Sequence, residues 1–166
     1  VDQRSVTVGE ERVQVDLGGL GKGYALDRAV ALLRDWGVSC ALLHSGQSSM
    51  VALGSPRGAS GWKVELRDPQ DHSHALGSVT LCDVSLSGSG TRIHGCHIID
   101  PRSGEPAHGA VAAWAQAPTA ALSDALSTSF MLLTTEEVAT YCRTHAGICG
   151  WLYLDGRGLV RYSMPT

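Results

Sequence analysis

The sequence lacks several features that would assign it at once to a class of protein. Its 13 Lys and Arg residues are scattered and its net charge is −3, so no basic surface for nucleic acid or acidic membranes is indicated. No apolar run is long enough to span a membrane. The five cysteines include no Cys-x-x-Cys pair, which implies neither a zinc ribbon nor a disulfide framework. The 166 residues have the size of one ordinary domain, or of part of a larger one.

What the sequence does contain is a mixture of helical and strand patterns. Three helices are predicted: residues 22–36, ended by Gly37, residues 119–133, and a third begun by the capping-box spacing of Thr134 and Glu137. Strands are predicted at residues 38–44, 49–53, 62–67, 78–86 and 110–116, and in a hairpin that turns at Asp155 and Gly156. The apolar face of residues 78–86 contains an irregularity. This mixture predicts one α+β domain.

The segment DLGGLGKGY at residues 16–24 combines four glycines with a lysine immediately before a helical pattern. Such a segment can bind a phosphate, because the first N–H groups of a helix carry partial positive charge and Lys22 adds a full one. Its spacing fits neither Gly-x-Gly-x-x-Gly nor the P-loop. Taken alone, the pattern leaves open both an anion site and a plain strand-to-helix turn, and it favours the turn.

The segment HIIDPRSG at residues 97–104 places His97 three residues before Asp100. A histidine oriented by such a partner can act as a general base near neutral pH. The alternative is a turn in which Asp100 bonds its own backbone ahead of Pro101. Zinc is not favoured, since His94 and His97 have no second pair of ligands at a suitable spacing.

The segment SDALST at residues 123–128 places Asp124 and Thr128 four residues apart. On a helix, side chains at this spacing project from one face, so a carboxylate and a hydroxyl converge. Hard oxygen ligands of this kind suit Mg²⁺. A solvated helix face is the alternative.

In their order and wording these segments resemble the ApbE family, the FAD:protein FMN transferases. The family pattern contains Asp-Leu-Gly-Gly-x-x-Lys-Gly-Tyr, a strand with Trp followed by Asp-Pro, His-x-x-Asp-Pro-x-Thr/Ser-Gly, and Ala-Asp-Ala-x-x-Thr. This chain carries, in the same order, DLGGLGKGY (16–24), WKVELRDP (62–69), HIIDPRSG (97–104) and SDALST (123–128). The resemblance runs from about Val13 to Leu133. It implies an ApbE-like fold, with a mostly antiparallel sheet flanked by helices.

The resemblance also implies a reaction and a role for each segment. FAD would bind over Mg²⁺, and its FMN phosphoryl group would pass to a Thr or Ser hydroxyl of a target protein while AMP leaves. Asp124, Thr128 and the backbone of Gly19 would hold Mg²⁺, and His97 would take the proton of the hydroxyl. The residues implied in binding FAD are Gly18, Gly19, Lys22, Gly23, Tyr24, Ser87, Gly88 and Asp100. The family further suggests a bacterial protein that is extracytoplasmic or membrane-anchored.

The sequence departs from the family pattern in three places. Ser48 replaces an acidic residue in the loop HSGQS at 44–48, and Leu86 replaces the threonine of Thr-Ser-Gly at 86–88. Only 15 residues precede Asp16, whereas the family carries a sizeable region there that forms part of the flavin and adenine pocket. We therefore expect a single domain over residues 1–166 that lacks this region. Its pocket would be completed by that region or by a second chain, or the chain would be a reduced relative.

Two other functions stay open at this point. A non-catalytic, flavin-binding relative would explain the replacements by Ser48 and Leu86. A metal-dependent FAD pyrophosphatase would keep Asp124, Thr128 and His97 but use water as the nucleophile, giving FMN and AMP. The covalent state of the FMN product distinguishes transfer from hydrolysis.

Overall fold

The computed structural model of the chain describes Thr7, Gly9, residues 13–90 and residues 98–164. Within these residues the elements follow in the order α1 (Gly21–Asp35), β1 (Ala41–Ser45), β2 (Ser49–Leu53), β3 (Trp62–Arg67), β4 (Ala75–Leu81), β5 (Ser85–Gly90), β6 (Ala112–Ala117), α2 (Ala120–Phe130), α3 (Thr135–Thr144), β7 (Cys149–Leu154) and β8 (Gly158–Tyr162). The predicted α+β class is confirmed.

The strands form one large sheet and one separate hairpin. The six-stranded sheet has the order β1-β2-β5-β6-β7-β8, and β3 pairs only with β4 in the two-stranded sheet. Neighbouring strands pair antiparallel in both sheets, which confirms the expected antiparallel arrangement. The chain leaves the large sheet after β2, forms the hairpin β3–β4 and returns as β5.

The prediction of one strand over residues 78–86 is wrong in its continuity. β4 ends at Leu81 and β5 begins at Ser85, so the segment belongs to two different sheets. Between them Asp83 adopts a left-handed conformation with φ of 52°, which an aspartate tolerates better than most residues. Its carboxylate accepts a hydrogen bond from the Gly54 N–H at 2.9 Å. The apolar pattern indicates only an irregularity here and not a break, because apolar residues continue on both sides of it.

The helices and the hairpin cover opposite faces of the large sheet. On β2, Val51 packs with Leu26 of α1, whereas the next residue, Ala52, packs with Leu66 of β3. Successive strand residues point to opposite faces, so α1 lies on one face and the hairpin on the other. α2 and α3 pack against β6 and β7 in a third cluster, which includes Phe130, Met131, Val138, Cys142, Ile148 and Leu152.

Local signals fix the ends of the helices. Gly37 follows α1 with φ of +77°, a conformation that glycine adopts without steric penalty. At the start of α3, Thr134 and Glu137 form the predicted capping box, in which each side chain accepts the other residue's N–H. Of the helices that the structure describes, none combines the length and the apolar character needed to cross a bilayer.

Candidate functional site

The candidate site lies where the first turn of α1 meets α2. The two helices approach so closely at Gly23 that a Cβ atom there would lie 2.1 Å from the carbonyl oxygen of Ala120. A contact of that length is impossible for real atoms, so the crossing requires glycine at this position. The glycine pattern of the sequence therefore has a packing role at Gly23 in addition to any role in binding.

Each of the two helices caps the other. Asp124 of α2 accepts the Gly23 N–H of α1 through Oδ2 at 3.0 Å. In return, Asp27 of α1 accepts the N–H groups of Ala120 and Ala121 at 2.8 and 2.9 Å. The first N–H groups of a helix have no acceptor within it, so this exchange provides acceptors for one such group of α1 and two of α2.

Asp124 is a nearly enclosed carboxylate with cationic and hydroxyl neighbours. It is only 2% exposed. Its Oδ1 accepts a hydrogen bond from the Ser49 hydroxyl at 3.1 Å and lies 3.6 Å from Lys22 Nζ. Lys22 also donates to the Gly18 carbonyl at 3.0 Å. The Lys22 ammonium thus compensates the charge of a buried carboxylate, which would otherwise be strongly unfavourable.

Thr128 lies one helical turn further along α2, and its hydroxyl donates to the backbone carbonyl of Asp124 at 3.4 Å. Its Oγ1 lies 3.1 Å from the Ser89 hydroxyl of β5. A Cβ atom on Gly19 would lie 3.5 Å from the same Oγ1. We call the residues gathered here the Asp124 cluster: Gly18, Gly19, Lys22, Gly23, Asp124 and Thr128. The structure therefore brings together two segments that are about a hundred residues apart, as the resemblance implied.

A cavity of about 500 Å³ opens next to this cluster, between the hairpin and the large sheet. We call it the hairpin cavity. Met50, Leu86 and Trp114 give it apolar walls, and its other lining residues include Gln47, Ser48, Glu65, Arg67, Ser89 and Gly90. Ser89 lines the cavity and also contacts Thr128, so the cavity and the Asp124 cluster adjoin.

Ser87 and Gly88, two of the predicted FAD-binding residues, border the hairpin cavity. Gly88 faces Trp114, where a Cβ atom would lie 2.7 Å from the indole ring, so glycine lets that ring pack directly against β5. Ser87 is fully buried and directly opposite Ser49 in the β2–β5 pair. Its hydroxyl has no hydrogen-bond partner among the residues that the structure describes.

Three other predicted residues stand apart from this arrangement. Tyr24 belongs to α1, and 60% of it is exposed. Asp100 binds Arg102 through both carboxylate oxygens, and Arg102 also donates to the Leu132 carbonyl, just beyond α2. These are contacts of the turn-forming kind. His97 lies outside the described residues, so its role stays a prediction.

The Arg102 side chain has a marked electrostatic effect on Asp100. Its hydrogen bonds, followed by that of its backbone N–H, lower the pKa of the Asp100 carboxyl to about 2. A carboxylate held ionised in this way accepts hydrogen bonds and does not exchange protons near neutral pH. Within the residues described, no group of three or more His, Cys, Asp or Glu side chains could hold a metal ion.

Sequence reasoning missed two contributors to the site. The sequence predicts only a strand for Ser49, within residues 49–53, and only a helix for Asp27, within residues 22–36. Ser49 reaches Asp124 across 75 residues of sequence, and Asp27 reaches Ala120 across 93. No local pattern marks either contact. The one available hint was a serine at the start of an apolar strand.

Comparison with known proteins connects this arrangement to named relatives. A family model described as "ApbE family" matches residues 1–151. The chain is 29% identical to the FAD:protein FMN transferase of Klebsiella pneumoniae (strain 342) over 163 residues, covering 91% of this chain and 46% of that protein. It is 33% identical to the enzyme of the same name from Treponema pallidum (strain Nichols), with 87% and 44% covered. The chain thus spans about half the length of the curated relatives it matches.

Solved structures show the same fold. The crystal structure of the ApbE protein from Thermotoga maritima has a TM-score of 0.78 at 26% identity, covering 90% of this chain and 51% of that one. The apo form of Pseudomonas stutzeri flavinyl transferase ApbE has a TM-score of 0.73 at 26% identity, with 91% and 49% covered. The ApbE-like fold implied by the sequence is confirmed.

Proposed function

Since the chain belongs to the ApbE family, we propose that it carries the phosphoryl-transfer site of an FAD:protein FMN transferase. In the proposed reaction a Ser or Thr hydroxyl oxygen of a target protein bonds to the FMN phosphorus of FAD. The bond from that phosphorus to the bridging oxygen breaks, and AMP leaves with the oxygen. The observation that carries this proposal is the Asp124 cluster, which joins a buried carboxylate, a hydroxyl, a lysine and a glycine-rich helix start.

The donor set of the cluster fits a magnesium ion. Asp124 offers carboxylate oxygens, Thr128 a hydroxyl and Gly19 a backbone carbonyl, and hard oxygen ligands of this kind suit Mg²⁺. Each oxygen of Asp124 accepts one hydrogen bond, and a carboxylate oxygen has a further lone pair for a cation. We therefore infer that these three residues hold Mg²⁺. A bound Mg²⁺ would neutralise charge on the phosphate oxygens.

The chain's own groups would do the rest of the positioning. Lys22 supplies a mobile positive charge beside Asp124, and the N-terminus of α1 adds the partial charge of its first N–H groups. Both favour a pyrophosphate at the Gly18–Gly19 turn. Tyr24 lies on the exposed side of the same helix start, where it would face a bound dinucleotide.

The hairpin cavity gives room for a ring system of FAD. Apolar walls with a few polar groups are typical of cofactor sites, and here Met50, Leu86 and Trp114 provide the apolar area. Its position beside Ser89 would place a ring next to a pyrophosphate bound at the Asp124 cluster. In this proposal Ser87 and Gly88 shape the wall between ring and phosphates, and Asp100 fixes the turn that follows the proposed base.

We assign proton removal to His97 by the family resemblance. A neutral imidazole at hydrogen-bond distance from the target hydroxyl would accept its proton as the oxygen bonds to phosphorus. Replacing His97 with Ala should slow transfer about 10²-fold or more, the usual scale for loss of a general base, with little change in FAD affinity.

One observation supports an alternative to FMN transfer. Ser48 and Leu86, where the sequence departs from the family pattern, both line the hairpin cavity. A changed cavity favours a protein that binds FAD but no longer transfers FMN, or that hydrolyses FAD with water.

The test is to incubate the chain with FAD, Mg²⁺ and a target protein that presents an acceptor Ser or Thr. We expect AMP release matched by covalent FMN on the target, measured by chromatography and by in-gel flavin fluorescence. AMP with free FMN would indicate a pyrophosphatase. FAD binding without AMP would indicate a non-catalytic relative, and either result would overturn the proposed transfer.

A further inference from the structure

Ser49 is a polar residue at an apolar position. It opens β2 and is completely buried, whereas Val51 and Leu53, which point to the same face, pack against apolar side chains of α1. Burying a hydroxyl is unfavourable unless it forms a hydrogen bond. A serine hydroxyl has a single proton to donate, and Ser49 donates it to Asp124 Oδ1 at 3.1 Å. The contact with Asp124 therefore explains why a buried serine is tolerated here.

The two oxygens of Asp124 are held from two different elements. Oδ2 accepts the Gly23 N–H from α1, and Oδ1 accepts the Ser49 hydroxyl from β2. Lys22 also approaches Oδ1, at 3.6 Å, but its side chain is 40% exposed and carries four flexible methylenes. Ser49 is short, buried and fixed on a strand. It is thus the rigid constraint on Oδ1.

From this geometry we propose that Ser49 is a positioning residue that fixes the orientation of the Asp124 carboxylate. Without its hydroxyl, the carboxylate can rotate about its side-chain bonds, and both the Gly23 bond and the presentation of Oδ1 to Lys22 weaken. The catalytic consequence, a loss of metal affinity, rests on the proposed function. The positioning itself does not, and it can be measured in the protein without FAD or metal.

The amide of Gly23 reports directly on the carboxylate. Gly23 is the third residue of α1, so its N–H has no acceptor within the helix, and its protection from hydrogen exchange depends on Asp124 Oδ2. In Ser49→Ala we expect this amide to exchange about tenfold faster, with an upfield shift of its proton resonance. Ser49→Thr keeps the hydroxyl and should restore both values.

Ser123→Ala is the matched control. Ser123 is equally buried and precedes Asp124, but its hydroxyl donates to the Ala115 carbonyl at 2.9 Å. Both alanine variants lose one buried hydrogen bond, so their melting temperatures should fall by similar amounts. Only Ser49→Ala should affect the Gly23 amide. An unchanged Gly23 amide in Ser49→Ala, or an equal acceleration in Ser123→Ala, would overturn the positioning role.

The same variants test the consequence for catalysis. We expect Ser49→Ala to need about tenfold more Mg²⁺ for half-maximal FMN transfer, with nearly the unsubstituted rate at saturating Mg²⁺, as for the loss of a residue that orients a metal ligand. Ser123→Ala should need no more Mg²⁺. If the unsubstituted chain transfers no FMN while Gly23 still responds to Ser49→Ala, the proposed function fails and the positioning role stands. If transfer proceeds while Gly23 does not respond, the positioning role fails alone.

Discussion

Asp27 and Asp124 occupy equivalent places at the crossing of α1 and α2, yet only one of them is a candidate for catalysis. Each caps the N-terminus of the opposite helix. Asp27 uses one oxygen on each of two backbone N–H groups. Asp124 uses only Oδ2 on a backbone N–H, and its Oδ1 faces Ser49 and Lys22.

The difference shows that a partly or fully buried aspartate at a helix crossing is not by itself a site. Asp27 and Asp124 differ in the groups that surround the second carboxylate oxygen. Next to Asp124 lie a lysine, a hydroxyl and a glycine-rich turn, all of which suit phosphate chemistry. Next to Asp27 lie two backbone N–H groups, and each carboxylate oxygen accepts a hydrogen bond from one of them.

The strongest test of this comparison is to replace each aspartate in turn with asparagine, which carries no charge. Asp124→Asn keeps an oxygen for the Gly23 N–H but removes the charge that would hold the metal. We expect FMN transfer to fall about 10²- to 10³-fold, the scale for losing one group that stabilises transition-state charge. Asp27→Asn should retain nearly full transfer per folded molecule. Equal losses in the two variants, measured as initial rates of AMP release, would show that both carboxylates act only through the helix crossing.

A second substitution tests the close approach of α1 and α2. In Gly23→Ala the new methyl group would meet the Ala120 carbonyl, so α1 must move away from α2. We expect a loss of about 2–3 kcal/mol in the free energy of unfolding, as for an overpacked core. Gly21→Ala is the matched control, since a Cβ there would meet only the Leu17 Cβ at 3.7 Å. Urea denaturation should show no loss for Gly21→Ala. A similar loss in both variants would contradict the close approach.

Removing the Asp27 cap should be milder. Asp27→Ala leaves the N–H groups of Ala120 and Ala121 without their acceptor, although Thr119 still accepts the Leu122 N–H at 3.3 Å. Loss of such a cap costs about 1–2 kcal/mol of stability. Urea denaturation measures this loss, and the transfer rate of the folded fraction should stay unchanged. A stability equal to that of the unsubstituted chain would show that Asp27 does not stabilise the crossing of α1 and α2.

The smallest effect is expected at a third aspartate, Asp100, which is bound by Arg102 and lies outside the helix crossing. Its hydrogen bonds from Arg102 lower its pKa from 3.8 to about 2. A lowered folded-state pKa contributes stability that is present above about pH 4 and lost as the pH falls toward about 2. In Arg102→Met the pKa of Asp100 should rise toward 3.8, as read from an NMR titration of its side chain. No rise would mean that Arg102 does not hold the turn.

The sequence predicted much of the local structure because the signals for it are local. The stop at Gly37, the capping box of Thr134 and Glu137, and the hairpin at Asp155 and Gly156 all depend on residues a few positions apart. Helical spacing likewise placed Asp124 and Thr128 on one face. The resemblance to a family then associated this pair with the glycine-rich segment, which the structure brings beside it.

The features that the sequence did not predict depend on distant contacts. Asp124 meets Gly23 across 101 residues and Ser49 across 75, and no periodicity encodes such meetings. For a related reason the break at Asp83 gives only an irregularity in the apolar pattern. Apolar residues suited to the faces of two different sheets read, in one dimension, as a single strand. The contacts of Asp124 and the break at Asp83 both depend on the topology of the chain, which only the pairing of the strands shows.

The central claim, that the Asp124 cluster holds the metal used with FAD, is tested most directly with Mn²⁺ in place of Mg²⁺. A bound paramagnetic ion broadens the NMR signals of nearby amides. In the presence of FAD we expect selective broadening of the amides of Gly19, Gly23 and Thr128, and its loss in Asp124→Asn. Broadening centred elsewhere, or persisting unchanged in Asp124→Asn, would contradict the claim.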